Sequence, residues 1–470
     1  VLLRQNDKNQ QINHLGGRMI KKSFATGAAI VLMTAAAMAQ EVPQASAPAY
    51  NCDYQPACEV APGFYGKISA PVTSKFNLGI GGFIKLDYAH NSVNLGDRGA
   101  LGTLQPNIPK SSSRADDQDQ SIFTARQSRF WLKVSGPTFL GAKTNGIIEA
   151  DFYGAGGASN ETSNMRLRLA NASLDWAKTQ VVFGQAYDIF GPAVASTIDF
   201  GSGAHFGNPN NPRVPQLRVT RRVELNENNT LRFVAGVQNP TQDSNLRDGT
   251  AKDSWGDMVN VAGQVMLLSK ALGVAPGYYG LSMNPLTAGF FGLYGEQEVG
   301  PANDEIDSWG YGFYTFVPLI PSRDGRDRAM TLSYEGQAYL AANLSANAAT
   351  AGTAVGPEGD KSPAKGFGFY SQLIFYPTQN LGITAGYGRR SVYDHDSYRE
   401  TPGLTNYEKS NSHLYMNVAY DLNAAIRVAA EYQKLSTEYG NVKDVPGGNL
   451  AGLADSGRAD IIRLAAYYFF

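Results

Sequence analysis

From about residue 77 to its end the chain repeats one pattern: stretches of about ten residues with apolar side chains at every second position, separated by turn residues. Residues 330–340 place Met330, Leu332, Tyr334, Ala338 and Leu340 on one face and Thr331, Ser333, Glu335, Gln337 and Tyr339 on the other. In 413–421, Leu414, Met416, Val418 and Tyr420 oppose His413, Tyr415, Asn417 and Asp421. In 425–433, Ile426, Val428, Ala430 and Tyr432 oppose Arg427, Glu431 and Gln433. A side-chain period of two held over that length suits a tilted strand with lipid on one face and water on the other.

Sixteen stretches carry the pattern: roughly 77–88, 127–135, 145–154, 166–177, 179–188, 214–224, 230–239, 258–269, 287–298, 307–317, 329–341, 366–376, 380–390, 411–421, 424–436 and 459–470. Two of them, 166–177 and 179–188, change face midway, which predicts bulges. Odd-numbered connections (89–126, 155–165, 189–213, 240–257, 299–306, 342–365, 391–410, 437–458) are mostly long and rich in Gly, Asn, Asp, Ser and Pro. Even-numbered ones are often short, as at 225–229, 377–379 and 422–423, although 270–286 and 318–328 are longer. Long connections on one side, short turns on the other and an even strand number describe an outer-membrane barrel. Lipid cannot satisfy the unpaired edge of an open sheet, so the sheet must close. The expected fold is all-β: a transmembrane antiparallel β-barrel of about 16 strands over residues 77–470.

The last residues, RADIIRLAAYYFF, align Ile462, Leu464, Ala466, Tyr468 and Phe470 and end on an aromatic side chain. They resemble the C-terminal assembly signal of outer-membrane barrels, with Tyr468 and Phe470 as its aromatic elements, and so imply the barrel-assembly machinery and outer-membrane lipid as partners. Tyr420, Tyr467, Tyr468, Phe469, Trp176 and Trp309 are expected in aromatic girdles at the bilayer interface.

From Met19 the sequence MIKKSFATGAAIVLMTAAAMAQ joins basic Lys21 and Lys22 to an apolar run, Ala28 to Ala37, and a small-residue cleavage site, Ala37-Met38-Ala39. The run is shorter than the roughly 20 residues a spanning helix needs. Residues 1–39 are thus expected to be a Sec-type signal region that starts at Met19 and is cut before Gln40, with 40–76 a periplasmic segment. Cys52 and Cys58 follow the cut and are expected to close a small disulfide loop in an oxidising periplasm. Further metal ligands nearby, a lipobox and a C-x-x-C-H haem motif are all missing, so neither metal nor cofactor is expected. A net charge of -1 with 17% charged residues gives no basic excess for nucleic acid. The mean hydropathy of -0.27 fits a barrel whose lumen-facing half is polar.

The segment from Gly184 to Arg222, GQAYDIFGPAVASTIDFGSGAHFGNPNNPRVPQLRVTRR, together with RLRLANASLDW (Arg166 to Trp176), resembles the DcaP-like group of trimeric outer-membrane porins. The resemblance implies a sixteen-stranded homotrimer that passes small, often negatively charged solutes. It also implies that the third outer connection, 189–213, folds into the barrel as a constriction bordered and lined by Asp188, Asp199, His205 and Arg213; an ordinary exposed loop is the competing reading. The N-terminal coiled coil of that group is not evident in 40–76, which is rich in Pro and Ala.

The polar strand faces supply a row of cations: Lys85, Arg129, Lys133, Arg218, Arg222, Arg427 and Arg463, with Arg166 and Arg168 on a strand of less certain register. On closing, the last two strands lie beside the first two, so Lys85, Arg129, Lys133, Arg427 and Arg463 are expected to form one basic wall that favours small anions such as carboxylates. An arginine on the lipid face would cost about 2–4 kcal/mol at midplane, which favours the inward assignment. In the alternative, these cations pair with Asp87, Glu335 and Glu431 and merely line the wall. The function expected is a water-filled diffusion channel; a structural or adhesive barrel is the alternative, and a barrel hydrolase a more distant one. Only five histidines occur (His14, His90, His205, His395 and His413), and no H-E-x-x-H, G-x-S-x-G or metal-spaced cluster appears, so no enzyme is expected.

Overall fold

The computed structural model describes residues 76–95, 108–111, 113–154, 163–199, 207–209, 211–239, 258–280, 282–299, 304–344, 365–392, 406–441 and 456–470. The signal region, Cys52, Cys58 and His205 lie outside the described residues.

Seventeen strand segments form one antiparallel sheet that closes on itself. They are β1 (Asn77–Asn91), β2 (Gln120–Thr124), β3 (Arg129–Phe139), β4 (Ala142–Gly154), β5 (Asn164–Asp175), β6 (Thr179–Tyr187), β7 (Arg213–Glu224), β8 (Asn229–Gln238) and β9 (Met258–Pro276). After these come β10 (Met283–Val299), β11 (Asp304–Ile320), β12 (Thr331–Ala342), β13 (Lys365–Tyr376), β14 (Leu381–Val392), β15 (Asn406–Asp421), β16 (Ile426–Asn441) and β17 (Ser456–Phe469). The wall has sixteen positions, because β2 and β3 pair in succession with the two halves of β1 and act as one interrupted strand. β17 closes the barrel against β1, from Phe83 opposite Phe469 to Asn91 opposite Ile461. Reciprocal backbone bonds between Gly82 and Phe470 complete the seam.

All sixteen expected stretches are strands, and the differences lie at their ends. β2 falls inside the connection 89–126, and β9 runs on to Pro276 while β10 begins at Met283, so the long turn expected at 270–286 shrinks to 277–282. One of the two expected bulges is present: Glu149 pairs with Leu169 and Ala150 with Leu167, leaving Arg168 as the extra residue of β5. β6 pairs with both neighbours without a register shift.

The alternation settles which way side chains point. On β17, Ile462, Leu464 and Tyr468 are exposed on the outer face, while Ile461, Arg463, Ala465 and Tyr467 are buried inside. Leu78, Ile80, Ile84 and Leu86 continue the apolar outer surface across the seam. Tyr467, expected in an outer girdle, points inward instead, and Phe469 stacks on it at 5.7 Å, because both occupy the odd-numbered face. Among the described residues no helix is long and apolar enough to cross a membrane. The outer surface makes one prediction: Leu464→Arg should cost about 2–4 kcal/mol at bilayer midplane. Heat-modifiable mobility of refolded protein, titrated with denaturant, would check it.

Candidate functional site in the lumen

After β6 the chain turns into the barrel. Asp188 accepts hydrogen bonds from Gln238 Nε2 (2.7 Å) and from the Phe190 backbone N–H (3.0 Å), which sets the entry. The next residues follow the inner wall. Gln264 on β9 donates to the Ile189 carbonyl at 2.6 Å, and Phe190 packs edge-on against Phe291 at 5.1 Å and Tyr339 at 6.0 Å. Glycines make room for these two side chains: a Cβ at Gly236 would meet Ile189, and one at Gly310 would meet Phe190. Ser196 N–H donates to Gln372 of β13 at 2.9 Å, and Asn417 of β15 donates to the Ser196 carbonyl at 2.6 Å. Ile198 N–H donates to Glu431 of β16 at 2.9 Å, while its carbonyl accepts from Lys85 Nζ at 2.7 Å and Tyr467 Oη at 3.3 Å. Gln127 donates to the Asp199 carbonyl at 2.7 Å. On the return, Gly207 (φ +116°) comes so close to the backbone of Phe369 and Arg389 that no side chain would fit. The side chains that hold residues 188–199 lie on the inner face, so this segment is inside the barrel, laid along the wall from β8 round to β1.

This insertion divides the expected cations. Lys85 is fully buried; its Nζ lies 2.7 Å from Asp87 and also donates to Gln127. Arg463, 1% exposed, sits 3.2 Å from Asp199, which is equally buried. That contact is an ion pair off the hydrogen-bonding direction, since none of the Arg463 guanidinium nitrogens donates a bond among the described residues. Arg427 is bound to Asp421 at 2.5 Å and 3.0 Å. The five cations expected to form one wall therefore split. Lys85 and Arg463 lie beneath the inserted segment and Arg427 is held by Asp421, each beside a carboxylate, while Arg129 and Lys133 stand beyond the segment on β3. Glu335 and Glu431 bond to other groups: Tyr314 and Gln372 for the first, Asn417 and Ile198 for the second.

Across the lumen lie the inner faces of β3, β4 and β5. Here Arg168 bridges Glu149 (2.6 Å) and Asp151 (2.8 Å), Arg166 meets Asp151 at 2.7 Å, and Arg129 lies 3.5 Å from Glu149. Lys133 is exposed, over the ring of Trp131 at 5.6 Å. Arg213 begins β7 within electrostatic reach of Arg168, Arg166 and Asp151. Further along β7 and β8 the balance changes. Arg218 and Arg232 are partly exposed and have no carboxylate within ion-pair distance among the described residues, and Arg222 stands directly opposite Arg232 in the ladder. Asp175 is the carboxylate within electrostatic reach of Arg222.

Among the inward groups not singled out from the sequence are Arg232, Glu149, Asp151 and Arg390. The signal for Arg232 was available, since Leu231, Phe233, Ala235 and Val237 already mark the opposite face of its strand. Among the described residues no cluster of three metal-ligating side chains occurs.

No protein-family model matches the sequence, and none of the curated proteins does. Solved structures do share the fold. The outer membrane channel DcaP of Acinetobacter baumannii superposes with a TM-score of 0.61 at 18% identity, over 84% of this chain and 97% of that one. The anion-selective porin from Comamonas acidovorans gives 0.51 at 10% identity, over 84% of this chain and all of that one. The chain has the closed sixteen-position barrel of outer-membrane porins.

Proposed function

We propose that the chain is an outer-membrane porin, a homotrimer whose water-filled lumen passes small hydrophilic solutes and prefers anions such as small carboxylates. The observation that carries this reading is the asymmetry of the lumen. One half of the wall carries an inserted segment that leaves its cations beside carboxylates; the other half presents arginines in excess of acids. Like charges directly opposed in an antiparallel ladder are destabilising, by roughly 0.2–1 kcal/mol on the scale of cross-strand pairs. Arg222 and Arg232 bear that cost with no fold role evident in their contacts, and passing anions would relieve it. Fixed positive charge in a narrow aqueous path lowers the entry cost for anions and raises it for cations. A barrel of this strand number is also wide enough to keep an aqueous channel. Export by the N-terminal segment and assembly through the C-terminal aromatic residues belong to the same reading.

The test is conductance of purified, folded protein in a planar bilayer under a salt gradient. Stepwise channels with an anion-selective reversal potential are expected. Cation preference would discard the charge assignment and keep the channel; absence of steps would discard the channel.

A further inference from the structure

A long irregularity of the barrel lies at the opposite end from the outer connections. β9 and β10 pair regularly from Val261 opposite Tyr294 to Ser269 opposite Leu286, then the ladder jumps to Val274 opposite Pro285, expelling residues 270–273. Beyond the jump the hairpin tip, described at residues 274–280 and 282–285, no longer follows the wall. β9 approaches β11 and β12, which are not its ladder neighbours. The Val274 carbonyl accepts from Ser322 N–H at 2.8 Å, and the Pro276 carbonyl from Ser333 Oγ on the inner face of β12 at 2.7 Å. At the tip the Tyr279 carbonyl accepts from Arg427 Nη1 on β16 at 3.3 Å. Gly280 (φ +66°) abuts Tyr376 of β13 and Arg328 so closely that a Cβ would collide with both. Tyr279 is 8% exposed and itself left-handed (φ +52°), a conformation a non-glycine residue keeps only where its surroundings impose it. A turn held by inward side chains of β12, β13 and β16 is inside the mouth of the barrel, six wall positions from β10 at its farthest contact.

We propose that this turn is a second, exit-side constriction of the pore, in series with the segment 188–199 and latched by Arg427, Tyr376 and Arg328. The proposal rests on the channel reading above. Both inserts stand against the same sector, from β11 to β16, so a solute moving along the arginine-bearing half has its path narrowed from the same side twice, by the first insert and then by the second at the periplasmic mouth. Arg427 has a double role: it neutralises Asp421 and holds the turn. The arrangement assigns residues 274–285 a part in setting the size limit for solutes, which is separate from the charge selectivity set by β7 and β8.

The construction offers a clean variant. Deleting Val274–Pro285 joins Gly273 to Leu286 and leaves residues 270–273 as a four-residue turn between the paired Ser269 and Leu286, a common hairpin length. Single-channel conductance should rise, by up to about twofold if two constrictions in series contribute equally, and larger neutral solutes should pass faster. An independent readout needs no deletion. With Cys52 and Cys58 changed to serine, Ser282→Cys should be modified by a charged methanethiosulfonate added from the periplasmic side, and current should fall. A conducting wild type with unchanged conductance in the folded deletion variant, or with no current change on Ser282→Cys modification, would overturn the exit constriction while leaving the channel intact. A wild type that forms no channel would overturn both.

Discussion

The variant in which Arg218, Arg222 and Arg232 are all alanine is expected to lose most of the anion preference of the channel. A unit charge about 7 Å from a passing ion contributes about 0.6 kcal/mol in water, close to the thermal energy. Three such charges favour an anion by about twentyfold unscreened, or about fivefold with the Debye length of about 10 Å at 0.1 M salt, and disfavour a cation by the same factor, so the anion-to-cation ratio changes by about the square of each. The shift in reversal potential should therefore be large at low salt and shrink as salt rises. Replacing Arg129 and Arg222 instead should give a smaller shift, since Arg129 already lies beside Glu149. The barrel should fold normally in each case, because Arg218, Arg222 and Arg232 form no ion pair among the described residues and the contact of Arg129 with Glu149 is a long one at 3.5 Å. An unchanged reversal potential in the triple variant would remove the β7–β8 arginines from the conduction path.

Asp199→Ala is expected to release the inserted segment. Asp199 and Arg463 are each about 1% exposed, and removing Asp199 leaves Arg463 buried without its ion-pair partner, with Glu431 and Asp87 in electrostatic reach only. Breaking a buried pair in this way costs about 3–5 kcal/mol, enough to offset most of what the hydrogen bonds at Ser196 and Ile198 contribute at about 1 kcal/mol each. The guanidinium of Arg463 would gain water only if the segment moved away. Single-channel conductance should therefore increase and become noisier, with the apparent unfolding temperature lowered. Asp199→Ala combined with Arg463→Met should recover the quiet, low-conductance state, since an apolar replacement of both members of a buried pair is often neutral or better. If Asp199→Ala alone conducts as the wild type does, the ion pair is not what holds the segment in place.

Much of this was legible in the chain. A strand crossing a bilayer has no choice about its outer face: lipid admits apolar side chains and little else, so the period of two survives in sequence wherever a strand crosses. That is why Leu414, Met416, Val418 and Tyr420 identified β15, and why the inward direction of Arg218, Arg222, Arg427 and Arg463 could be inferred before any coordinates. The assignment of Tyr467 to an outer girdle ignored the same rule, for Tyr468 beside it already occupied the outer face. Arg168 was harder. It is the extra residue of a bulge, and a bulge shows in sequence only as a break of phase, without saying which residue is extra.

The lengths of β9 and β10 were misread for a different reason. Pro276, Gly277 and Pro285 are turn residues by composition, but the backbone there is extended and paired until the tip turns inward. Its partners are Ser333 and Arg427, 57 and 148 residues away. Nothing local announces such contacts.

The sequence by itself determined the closed all-β barrel, its sixteen wall positions and which face of each strand meets lipid, because the bilayer imposes a periodic requirement on every crossing strand separately. Only the tertiary structure decided which inward charges still face the lumen and which lie covered beside a carboxylate. That choice depends on the path of residues 188–199, whose anchors on Gln372, Asn417, Glu431 and Arg463 lie far along the chain, and such pairings leave no period in the sequence.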